Sequence, residues 1–207
     1  IDLENGQIRN CTKLPSELIG AEAEKKPSVT LSDSNEPQVL IIHTHTTESY
    51  ERDSDGYYDT DYDGRSLCPA NSVVGVGAVL AQTLADNGIS TLHDGTVFDD
   101  PVYNYSYSRS RERTEQLLKE YPSIKIVLDI HRDGIADGDV RIAPVAEING
   151  RKAAQIMIIC GCDDGTDILP EASLVIEFGA LANDIEQVRY SAELAGRSIA
   201  NLLKNAD

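Results

Sequence analysis

The 207 residues include 41% hydrophobic side chains, enough for one globular core and too few to spread over two. With 35 acidic against 18 basic side chains the formal net charge is -17, which repels polyanions over most of the surface and argues against nucleic acid as a partner. No apolar run approaches the roughly 20 residues that cross a bilayer, so the chain reads as soluble, and because it opens at Ile1 an upstream export or anchoring segment is expected.

Residues 1–36 mix Lys, Glu, Ser, Asp and Pro without periodicity and read as a linker or loosely docked arm, leaving residues 37–207 as the folded domain. The first strong element is residues 38–44, an apolar, β-branched run after Pro37 that reads as a strand buried on both faces. A loop at 46–69 follows, rich in Asp, Tyr, Gly and Ser, and connections of that length usually carry function. Residues 71–87 place Val74, Val76, Val79, Leu80 and Leu84 along one helical face, with Asn71 as N-cap and Gly88 past the end. A strand at 89–92, an amphipathic helix at 107–120 and a strand at 124–130 complete a β-α-β-α-β order. Residues 140–147 and 153–160 flank Asn149-Gly150 and predict a hairpin, 174–178 a further strand, and 185–203 a terminal helix. Together these elements predict a single α/β domain: an open, mostly parallel sheet with helices on both faces plus a β-hairpin, and a site beyond the carboxyl ends of the strands.

Three of the four histidines fall at two predicted strand ends, His43 and His45 after the first and His131 after the third, and Glu48 follows His45 by three residues. Two imidazoles and a carboxylate are the donor types of a catalytic zinc that keeps one position open, so His45, Glu48 and His131 are the candidate ligands. A histidine at a strand end more often caps or packs; it is the concentration of three that favours the metal. His93, beyond the second strand, reads as a hydrogen-bonded surface residue. Glu177 lies inside the apolar run Leu174-Val175-Ile176-Glu177-Phe178. It is either paired with an arginine or a general base, and the second role explains both burial and position. Asp59, Asp61, Asp63 and Gly64 match half of a calcium loop, but Ala70 stands where the closing Glu belongs, so a solvated acidic loop is the better reading. Tyr50, Tyr57, Tyr58 and Tyr62 either line a substrate groove or pack that loop. Cys11, Cys68, Cys160 and Cys162 form no CxxC pair and read as thiols. The GxSxG, GxxxxGK and GxGxxG signatures are missing, which leaves metal-dependent hydrolysis with little competition.

The runs VLIIHTHTTESY, VLDIHRD and IEFGALAND, with the segment from His93-Asp94 to Tyr107-Ser108, resemble the stage II sporulation protein P family over residues 37–205. The resemblance implies an amidase/phosphorylase-hydrolase-like fold and a zinc-dependent N-acetylmuramoyl-L-alanine amidase. Such an enzyme cuts peptidoglycan between glycan and stem peptide during spore engulfment. It also implies an extracytoplasmic protein, membrane-anchored through an N-terminal segment, working with other anchored engulfment proteins including a glycan-strand-cleaving partner. By the same resemblance His45 and His131 are the zinc histidines and Glu177 the catalytic glutamate. Related amidases carry the carboxylate ligand where this chain has Asn71, so Glu48 takes that role, in an HxxE pattern similar to that of zinc metallocarboxypeptidases. Arg132 is expected to hold a substrate carboxylate, and His43 to orient substrate or support the first ligand. The stretch 161–173 is shorter than in the family, which leaves the number of strands open. A stem-peptide endopeptidase and a non-catalytic wall-binding module are the alternatives.

Overall fold

The computed structural model describes residues 1–4, 6–51, 57–160 and 172–205. The main elements of the domain among the described residues are β1 (Val39–Ile42), α1 (Val73–Asp86), β2 (Thr91–His93), α2 (Ser106–Glu120), β3 (Ile126–Asp133), β4 (Val145–Ile148), β5 (Arg151–Ala154), β6 (Ile156–Ile159), β7 (Ser173–Ala180) and α3 (Ile185–Lys204). Five of the strands form one sheet in the order β6-β7-β3-β1-β2, parallel except for the antiparallel edge strand β6.

Alternation along β1 sends its side chains to two cores. Val39 and Ile41 join Val76, Leu80 and Leu84 of α1, Leu128 and Ile130 of β3, and Val188 and Ala192 of α3. Leu40 and Ile42 join Val127 and Leu117 of α2 on the opposite face. Every residue of β1 is buried, as a central parallel strand between two helical layers requires. The chain leaves β1 towards β2 and then crosses back to β3 on β1's other side. The carboxyl ends of β1 and β3 are therefore the switch point at which an open α/β sheet forms a crevice.

Several predicted boundaries move, and the first strand ends at Ile42 instead of residue 44. Asn71 is not the helix cap: Pro69–Asn71 coils into a short 3-10 turn, and the extended Ser72 caps α1 by accepting from the Val74 amide at 3.3 Å. The predicted hairpin keeps its turn, with Asn149 and Gly150 both left-handed, but its arms are only β4 and β5. The predicted second arm is two strands, because β6 leaves the hairpin after Gln155 and pairs with β7 in the main sheet. Residues before β1 hold a mostly exposed helix, Ser16–Ala23, while Val29 and Leu31 pack against the α1 side of the core.

Candidate functional site

Side chains on the α2 face of the sheet build the site. Asp129 and His131 lie two residues apart on β3 and share that face with Val127. The parallel register sets Glu177 of β7 directly beside His131. Past the bulge that follows, Gly179 turns through a φ of +63°, where an added Cβ would lie 2.6 Å from Asn183 Oδ1; no other side chain fits there.

β1 delivers the remaining groups. The Thr44 amide and hydroxyl donate to the two Asp129 carboxylate oxygens at 2.8 and 2.6 Å, which ties the strand ends together. A turn closed by the Glu48 amide donating to the His45 carbonyl at 3.0 Å folds Glu48 back towards β3. The His45 and His131 rings meet edge to face at 5.2 Å, and Glu48 Oε2 lies 3.4 Å from His131 Nδ1 while accepting from the Arg132 amide at 3.3 Å. His45, Glu48, Asp129 and His131 are all buried, Glu177 partly so.

Charge in this cluster is strongly redistributed. Burial alone would discharge His131, but Asp129, with Oδ1 3.1 Å from Nε2, and then Glu48 outweigh it and raise its pKa to about 10. Burial opposes ionisation of Asp129 and Glu48 too, yet His131 draws both below the ordinary carboxylate range. Glu177 moves the other way, raised by burial and then by Asp133. His131 Nε2, although 3.1 Å from Asp129 Oδ1, and Glu177 Oε2 are buried polar atoms without a hydrogen bond.

Among the described residues, no three His, Cys, Asp or Glu side chains already surround one point as the donors of a metal ion would. The donor chemistry still fits a zinc ion. His131 touches both the His45 imidazole and the Glu48 carboxylate, and two carboxylates already retain a positive charge, the extra proton, on His131.

The other sequence candidates separate from this cluster. His43 alternates to the α1 face, fully buried, its Nδ1 3.2 Å from the Ile130 carbonyl and its Nε2 2.8 Å from His93 Nε2. It is thus closed to substrate, and His93 is its half-buried partner, not a surface residue. Burial, and then His93, lower the His43 pKa to about 3, keeping the pair neutral. The Arg132 guanidinium is spent on carbonyls, donating to Ser49, Gly64 and Asp133 at 2.7, 3.1 and 3.2 Å, so it straps the loop after β1 and is not held out for a substrate carboxylate. Glu51, another acid near the first strand, pairs with Arg141 at 2.5 Å outside the cluster. Asp59 and Asp63 close local turns on exposed backbone, accepting from the Asp61 and Arg65 amides. Tyr50 packs the loop, buried and donating to the Phe178 carbonyl at 3.0 Å. Cys162 and most of the stretch 161–173 lie outside the described residues.

Three groups were not anticipated. Asp129 carried a readable signal, an acid two residues before His131 in an apolar strand. Tyr103 stacks on His45, with centroids 4.8 Å apart and planes at 13°, and Tyr107 meets the same ring edge-on at 5.1 Å. Both come from the approach to and first turn of α2, where nothing in the sequence ties them to His45.

The fold and site define an α/β protein with a histidine-carboxylate cluster at the switch point of its sheet. A family model described as stage II sporulation protein P matches residues 4–167, and the chain belongs to that family of sporulation proteins. It is 26% identical over 250 residues to "Stage II sporulation protein P" of Bacillus subtilis (strain 168), an alignment that takes in 99% of this chain and 61% of the relative. The chain thus spans less than two thirds of that protein's length. No solved structure matches it. Among the described residues no helix is long and apolar enough to cross a membrane.

Proposed function

We propose that this chain is a zinc-dependent N-acetylmuramoyl-L-alanine amidase that cuts peptidoglycan between glycan and stem peptide during spore engulfment. The observation that carries the reading is the meeting of His45, Glu48 and His131 from two adjacent strand ends, with Glu177 in register beside His131. His45, Glu48 and His131 are the residues that would hold zinc, which supplies Lewis acidity towards the scissile carbonyl and the attacking water. Glu177 is the proton carrier. Its raised pKa favours accepting a proton from water, and its Oε2, unpartnered and beside the cluster, then returns that proton to the leaving amine. Asp129 supports His131 from behind, as carboxylates commonly do for metal-binding imidazoles. Peptidoglycan as substrate, membrane anchoring outside this chain and work alongside a glycan-cleaving engulfment protein belong to the same proposal, through the family.

The test is digestion of purified sacculi by zinc-loaded protein, with identification of the new termini. Newly freed L-alanine amino groups and intact glycan strands are expected. Termini within the stem peptide would make the enzyme an endopeptidase, and sedimentation with sacculi without any release would make it a binding module. Glu177→Gln is expected to keep zinc and lose roughly 100- to 10,000-fold in rate, the usual contribution of a general acid-base group.

A further inference from the structure

His45 is engaged at both ring nitrogens, from opposite sides. Nδ1 lies 3.3 Å from the hydroxyl of Ser106, a residue buried at the start of α2. Nε2 lies 3.2 Å from the Tyr103 hydroxyl. Both hydroxyls can donate or accept, and Nε2 is the nitrogen that faces the half-exposed tyrosine while Nδ1 faces the buried serine. Tyr103 is 50% exposed, and its ring stacks on the buried imidazole.

The ring is also held from another direction. The Arg65 guanidinium lies 4.6 Å from its centroid and is anchored in turn, donating to Asp99 at 2.6 Å and to the Thr47 hydroxyl at 3.0 Å. Asp99 is buried and also accepts from the Thr47 amide and hydroxyl, so the support reaches back to the turn that carries His45 and Glu48. Packing alone needs only the ring. The hydroxyl adds a polar group beside a site residue, and with His45 Nε2 given over to zinc the phenol O–H is left free to donate towards a developing oxyanion, as preorganised stabilisation requires.

We propose that Tyr103 is a catalytic residue whose phenol O–H donates a hydrogen bond to the carbonyl oxygen of the scissile amide as negative charge develops there. This rests on the amidase reading above. In the step, a water oxygen bonds to the carbonyl carbon and one water proton goes to Glu177. The carbonyl π pair moves onto oxygen, where Tyr103 stabilises it without giving up its own proton. When the pair returns, the carbon-nitrogen bond breaks and the amine leaves with the proton from Glu177.

The test compares zinc-loaded wild type with Tyr103→Phe, which keeps the stacked ring. A soluble muramoyl peptide reports turnover, and a phosphinate replacing its scissile amide reports affinity for the tetrahedral, anionic geometry. Loss of one such donor typically costs about 100- to 1,000-fold in kcat. A loss of that size is expected with KM, zinc content and thermal midpoint unchanged, and with phosphinate affinity weakened by a comparable factor, since the contact belongs to the transition state. Turnover and phosphinate affinity within about twofold of wild type would remove Tyr103 from the chemistry. A fall in zinc content or thermal midpoint would make it a packing partner of His45 and overturn the proposal as well. A wild type that binds zinc but leaves the substrate whole fails the amidase reading and takes the Tyr103 role with it. An active wild type with an unaffected variant fails Tyr103 alone.

Discussion

Replacing Asp129 with Asn keeps the side chain's size and one oxygen for Thr44 but removes the charge facing His131. The rise of the His131 pKa from 6.5 to about 10 amounts to roughly 5 kcal/mol in favour of the imidazolium. Asp129 is the larger of the two raising charges, and breaking a buried pair of this kind costs about 3–5 kcal/mol. Because the folded value lies above the unfolded one, this stabilisation is fully present below about pH 6.5 and is lost as pH climbs through about 10. Urea unfolding of chelator-treated wild type and Asp129→Asn should therefore show a gap of that order at pH 6 that narrows by pH 10. The His131 ring resonance in the variant should titrate well below the wild-type midpoint. A gap equally large at both pH values would mean that Asp129 stabilises only through its Thr44 hydrogen bonds, and the charge argument would fail.

Gly77→Ala should destabilise, although alanine is the better helix former by about 1 kcal/mol. The added Cβ would sit 2.5 Å from His43 Cε1 and 3.0 Å from His93 Nε2, and overpacking of a buried ring costs about 1–3 kcal/mol; a raised thermal midpoint would contradict the assigned packing. Glu48→Ala should weaken zinc binding by calorimetry more than the roughly 10- to 100-fold that losing a supporting residue costs, and unchanged affinity would take Glu48 out of the ligand set. Asp133→Asn removes the second influence, after burial, that raises Glu177. A base works only when deprotonated, so the acid limb of kcat/KM should move to lower pH, and an unmoved limb would deny Glu177 that titration.

The sheet was legible because its strands are apolar runs separated by a capped helix and by glycine punctuation, signals local to each segment. The sequence pattern also placed His45 and His131 at strand ends and Glu177 inside a strand, since a residue's position along its strand decides whether it reaches the crevice. Alternation decided what was misplaced. His43 and His45 are two apart, but the strand ends at Ile42 and the chain turns between them, so one ring goes under α1 and the other towards α2. Arg132 looked available only because its acceptors, the carbonyls of Ser49 and Gly64, are distant in sequence. Tyr103 was invisible for the same reason: its contact with His45 bridges 58 residues.

The charge of the site follows from where the strands put it. Glu48 and Asp129 flank one imidazole in a buried pocket, with Asp133 and Glu177 close enough to be felt. Two buried carboxylates without a cation would be costly, and this pocket retains a proton on His131 far above the ordinary histidine range. A divalent cation held by the same residues would bring more positive charge while releasing that proton, so zinc uptake by the metal-free protein should release protons to the medium. Measured near pH 8 in buffers of different ionisation enthalpy, the binding heat should vary with the buffer. At that pH a free imidazole is already neutral and would release almost nothing, whereas His131 is still charged. A buffer-independent heat would show that zinc binds without displacing the His131 proton, and the ligand role of His131 would be lost.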